Sequence, residues 1–212
     1  MTEDDPSDLD ALVRRVDPDR WLSSRFIADP AARADVIALY AFDHELARAP
    51  RVASNPLLGE IRLTWWREVL DEAFEDRPVR RHPTAEALAA AIRRHGLPRS
   101  TLEAMVDARY RELDPIPMSL AETRAFALET AGAAATLAAR ILDPAVDPEA
   151  ARAAGAAWAM RRQAKDPGDL AGGGKGLSVT AFPAIAHAGL PAGGSELSRR
   201  ARLLWAVIRG RV

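Results

Sequence analysis

Leu39-Tyr40-Ala41-Phe42-Asp43-His44-Glu45-Leu46-Ala47-Arg48-Ala49-Pro50-Arg51 decides how the chain folds. Together with Val36, the residues Leu39, Phe42 and Leu46 recur at helical spacing, so the pattern predicts a helix over residues 30–49 with Pro50 as its stop. The same helix is rich in chemistry. Asp43 lies one turn before Ala47 and His44 one turn before Arg48. A carboxylate beside a histidine can act as a general acid/base pair, or the trio Asp43, His44 and Glu45 can be a solvated, locally paired face. Arg48 and Arg51 end the stretch, where cations suit the helix dipole; arginine also binds phosphate through its planar donor fork.

Working outward, nearly every segment reads as helix, punctuated by turns, with no alternating strand pattern. Asp17-Pro18-Asp19 opens a helix through residue 26. Residues 57–74 form another, with Ile61, Trp65 and Val69 in one apolar row and Leu63, Trp66 and Leu70 in a second, which predicts a broad buried face and burial of both indoles. Thr84 is the expected cap of a helix ended by Gly96 and Pro98. Ser100-x-x-Glu103 and Ser119-x-x-Glu122 are capping-box patterns, the second opening a long helix to residue 141. Its centre, Ala131-Gly132-Ala133-Ala134-Ala135, suits close helix contact. Asp147-Pro148 starts a further helix rich in small residues over residues 150–164, and the last covers residues 195–208 with Leu197, Leu204, Trp205 and Ile208. The total expected is seven to nine helices.

Between these last two helices lies Asp166-Pro167-Gly168-Asp169-Leu170-Ala171-Gly172-Gly173-Gly174-Lys175-Gly176. Its glycines are able to expose N–H groups to an anion, with Lys175 as counter-charge, or to serve as a flexible connector. The full Walker pattern is absent. His82, His95 and His187 have no mutual spacing that suits a metal.

Composition narrows the classes. At 212 residues and 48% apolar content the chain suits one domain with a sizeable core. A formal charge of -1 argues against bulk attraction to nucleic acid. No cysteine is present, which removes disulfides, thiolate nucleophiles and cysteine-ligated zinc. Residues 1–10 are acidic and lack the order of a secretory signal. The longest uncharged run, residues 177–195, is broken by Pro183, Gly189, Pro191, Gly193 and Gly194, so no transmembrane segment is expected.

Arg25-Phe26, Leu39-Tyr40-Ala41-Phe42, Trp66-Arg67, His95-Gly96-Leu97-Pro98 and the helical Gly155 occur in an order and spacing, over residues 21–190, that resembles the squalene/phytoene synthase family. The resemblance implies an all-α helical bundle of the isoprenoid synthase type, truncated at the C-terminus because the family continues for several more helices. Residues 1–16 are then an acidic N-terminal segment and 17–212 a single domain.

In that family the first motif reads roughly L-Y-A-F-C-R-x-x-D-D-x-x-D, and its carboxylates hold magnesium against a prenyl diphosphate. Here Ala47, Arg48 and Arg51 stand at the three carboxylate positions. The second motif, near Q-x-x-N-x-x-R-D-x-x-E-D, falls on Ala159, Arg162, Lys165, Asp166, Asp169 and Leu170, with Pro167 interrupting any helix there. Asp19 replaces a serine near diphosphate. Mg²⁺ takes oxygen ligands, which alanine and arginine do not supply.

The resemblance thus implies a non-catalytic branch similar to the mitochondrial complex I assembly factor with a phytoene-synthase-like domain, whose F-x-x-E-L-A stretch matches Phe42, Glu45, Leu46 and Ala47. The expected role is binding of a protein partner such as a respiratory-complex assembly intermediate. An isoprenoid or lipid ligand is expected at Asp43, Arg48, Arg51, Asp166 and Asp169, with no cofactor, no nucleic acid, and a cytoplasmic location peripheral to the inner membrane. The alternative is a working head-to-head prenyltransferase, which needs Mg²⁺.

Overall fold

The computed structural model describes residues 8–51, 55–190 and 195–209. Among them are nine α-helices and no strand: α1 (Leu9–Val16), α2 (Pro18–Ser24), α3 (Pro30–Arg51), α4 (Pro56–Phe74), α5 (Pro83–His95), α6 (Arg99–Arg109), α7 (Leu120–Leu142), α8 (Pro148–Arg162) and α9 (Glu196–Arg209). Short 3₁₀ turns link several of them, including Tyr110–Leu113 after α6 and Ala186–Gly189 before α9.

Helix α3 is the axis of the bundle. Val36 through Phe42 are all buried, so the helix is apolar nearly all round and packs on α1, α4, α5, α6 and α7. Phe42 meets Trp66 of α4 edge to face at 5.3 Å, a contact worth about 0.5–1.5 kcal/mol beyond area burial. Pro50 does not stop α3 but sits inside its last turn.

Helices α7 and α8 approach each other more closely than side chains normally allow. A Cβ on Gly155 would lie 2.5 Å from the Ala131 carbonyl oxygen, and one on Gly132 would lie 2.8 Å from that of Arg152. The small residues therefore bring backbone against backbone, as the sequence predicts. At the contact α7 widens into a π turn over Leu128–Gly132. Residues 120–142 are long and apolar enough to cross a membrane, but 61% of the apolar window is buried within the bundle, as in a core helix.

Several expectations change. Residues Leu9–Val16, read as part of an acidic segment, are helical because Asp8 caps them and Val13 is fully buried. Thr84 and Ser100 lie inside their helices rather than at the caps, which are His82 and Pro98. Pro83 takes the first helical position and moves that boundary. In α4 the second row is buried throughout, with Trp66 4% exposed, whereas the first is buried only at Val69: Trp65 is half-buried and Ile61 is 54% exposed. Leu197, Leu204, Trp205 and Ile208 of α9 are exposed, and Leu203 packs inward with the partly buried Ala206 and Val207.

Candidate functional site

A cavity of about 320 Å³ opens between α2, α3, α6, α7 and α8. Its α3 wall is Tyr40, Asp43, His44, Ala47 and Arg51, residues three or four apart and so on one face. Phe126, Thr130 and Ala131 enter from the π-turn region of α7, and Trp158, Ala159 and Arg162 from α8.

The lining is charged but internally matched. Asp43 is buried and accepts hydrogen bonds from Arg20 Nη1 at 2.6 Å and Arg109 Nη2 at 2.8 Å. Arg109 also donates to Glu112 at 2.9 Å, and Glu112 faces Arg51 at 3.7 Å. Asp17 lies 3.8 Å from Arg20 and 3.7 Å from Arg162 while capping α2. Aromatic faces complete the cage: Arg20 lies over Tyr40 and Trp158, and Arg162 over Trp158. Burial pushes the Asp43 carboxyl up, but Arg20 and then Arg109 outweigh it and hold it below its ordinary value. At Asp17 burial wins over Arg20 and Arg162, and that carboxyl is raised. Four guanidinium groups, from Arg20, Arg51, Arg109 and Arg162, face three carboxylates, from Asp17, Asp43 and Glu112.

The five residues singled out in sequence do not form one cluster. Asp43 and Arg51 line the cavity. Arg48 points to a different pocket, against α4, and pairs with Glu45 at 3.2 Å. Asp166 accepts from the Gly168 N–H in a turn, and the exposed Asp169 pairs with Arg124. Neither lines the cavity, because α8 ends at Arg162 and Ala164 turns the chain with positive φ before the second motif is complete. Asp19 is buried and neutralised by Arg162 and Arg199. The glycine run lies along α8, where the Gly174 N–H donates to the Ala150 carbonyl at 2.8 Å and so is already used.

Residues 13–175 match the sequence pattern of the squalene/phytoene synthase family. The chain belongs to that family. A dehydrosqualene synthase structure with bound ligand shares the fold, with a TM-score of 0.63 at 14% identity, covering 95% of this chain and 72% of that one. The complex I assembly factor 6 proteins of Bos taurus and Homo sapiens are each 34% identical over 104 residues. That stretch is 49% of this chain and only 30% of each relative's length.

For this family member the placement of the motif positions becomes specific. Ala47 and Arg51 from the first motif face Ala159 and Arg162 from the second across one cavity. Among the described residues no group of three or more His, Asp or Glu side chains is placed to hold a metal ion. Sequence reading missed Arg20 and Arg109, the two partners of Asp43. The available signal was Asp43 itself, an acid in an otherwise apolar run that needs a counter-charge if buried.

Proposed function

We propose that this chain is a non-catalytic member of the squalene/phytoene synthase family that works by binding, as an assembly factor for a respiratory complex. The likeness to complex I assembly factor 6 supports the assembly role.

The observation that carries the non-catalytic reading is the state of Asp43, buried between two guanidinium groups. The family's reaction uses Mg²⁺ held by clustered carboxylates, and the residues present do not fit that ion. Each cavity carboxylate already faces arginine, and Ala47, Arg51, Ala159 and Arg162 add no oxygen donor that a hard cation prefers. Any anionic isoprenoid or lipid head in the cavity is met directly by Arg51 and Arg162, without a bridging metal.

Incubation of the purified chain with farnesyl or geranylgeranyl diphosphate tests this, with Mg²⁺ and separately with a chelator. The expected result is no condensed product, and any ligand-induced rise in melting temperature is the same in both conditions. Product formation, or stabilisation that appears only with Mg²⁺, would overturn the reading in favour of a prenyltransferase.

A further inference from the structure

Helix α4 carries a surface that the cavity does not use. Gly59, Leu63, Trp66 and Leu70 turn inward, while Leu57, Ile61 and Trp65 follow at intervals of four on the outer side and form one stripe. Leu57 is 62% and Ile61 54% exposed, and Leu58 beside them is 38% exposed. Single exposed apolar residues are ordinary, but a continuous stripe is not.

The stripe leads into a pocket of about 220 Å³ between α3 and α4. Trp65, Trp66 and His82 line it with their rings edge to face, the two indoles 4.9 Å apart and His82 5.6 and 5.3 Å from them. The His82 Nδ1 has no hydrogen-bond partner. A half-covered indole, Trp65, packed on a buried one beside a small recess offers the surroundings in which one large side chain of a partner contributes most.

Charge indicates what surrounds that side chain. Arg48 and Arg62 line the pocket against one acid, Glu45, which Arg48 already occupies. Among the described residues Arg62 makes no ion pair, and the pocket lining itself carries two arginines against one carboxylate, Glu45, while Glu60 is the one carboxylate on the exposed first half of α4.

We propose that the stripe and pocket of α4 dock an acidic amphipathic segment of a partner protein, with one large apolar side chain seated in the pocket against the Trp65, Trp66 and His82 cluster. Apolar anchors at helical spacing match the stripe, and an acidic flank matches Arg62, the arginine of the pocket without an ion pair among the described residues. The proposal rests on the surface alone and does not depend on the assembly reading.

Selection of displayed random peptides on the full chain provides the test. The expected peptides carry apolar residues three and four apart together with excess Asp and Glu. Affinity of a synthetic representative should fall at least about tenfold in Trp65→Ala and in Arg62→Glu, as for an anchor and its charged rim. It should stay unchanged in Arg124→Ala, whose side chain pairs with the exposed Asp169 and lines neither pocket. Because Ile61 is exposed, Ile61→Asp keeps the fold, checked by its thermal melt, and should also abolish binding. The proposal is overturned by enrichment of basic or non-amphipathic peptides, by no enrichment, or by affinity indifferent to these changes. It is equally overturned if sedimentation shows that Ile61→Asp dissolves a dimer, or if that change abolishes adsorption to anionic vesicles, since the stripe would then serve a second copy or a lipid surface.

Discussion

Asp43 occupies a helix position flanked by Phe42 and Leu46, both fully buried, and two arginines from other helices make its charge tenable there. Removing the charge should cost far more than removing an outer one. Asp43→Asn leaves Arg20 and Arg109 buried without their shared counter-charge, and urea denaturation should show a loss of about 3–5 kcal/mol. Arg51→Ala, at the exposed rim, should change stability by no more than about 0.5 kcal/mol in the same experiment. The carboxyl is held low in the folded state, so its contribution is present above its ordinary range and lost as pH falls through the folded value. Only half of this arrangement was legible in the sequence. The spacing of α3 puts Asp43 and Arg51 on one face, but Arg20 and Arg109 lie 23 and 66 residues from Asp43, and no local pattern couples them.

At the scale of single helices, local chemistry explains both what sequence reading gets right and what it gets wrong. Ser119 accepts from the Glu122 N–H while the Glu122 carboxylate accepts from that of Ser119, so the box closes as the spacing predicts. Ser100-x-x-Glu103 has the same letters without the function. Arg99 already begins α6, and Glu103 pairs with it at 2.7 Å. Ser119→Ala should therefore lower stability by about 1 kcal/mol in thermal or urea melts, and Ser100→Ala should stay within about 0.5 kcal/mol. From α2 onward helix existence was readable because caps and apolar spacing are local, whereas α1 was read as part of an acidic segment. Which face of α4 or α9 is buried was not, since that depends on which neighbours arrive. The end of α8 at Arg162 was missed for the same reason, and it moves Asp166 and Asp169 away from the cavity.

The bundle as a whole should respond to acid through His187. This imidazole is 1% exposed, lies edge-on to Trp158 at 4.9 Å and to Tyr40 at 6.4 Å, and neither of its nitrogens has a hydrogen-bond partner. Burial first, then Arg20 and Arg162, push its pKa well below the ordinary range, so it stays neutral in the fold. The unfolded chain binds the extra proton below about pH 6.5, and stability therefore falls as pH falls, by about 1.3 kcal/mol at pH 5.5 relative to neutrality. His187→Phe keeps the ring contacts and breaks no hydrogen bond. Urea midpoints measured across this window should decline less in the variant, and parallel curves would refute the assignment.

The arginines that line the cavity have a further consequence. A guanidinium fixed to the chain is a counter-ion that never dissociates: it cannot be chelated, diluted or exchanged, and it keeps its proton at any physiological pH. Asp43 is accordingly neutralised to the same extent whether free magnesium in the cell is abundant or scarce. That permanence also removes a control point, since a pocket that carries its own cations cannot be emptied of them; on the non-catalytic reading proposed above, metal supply has nothing there to switch.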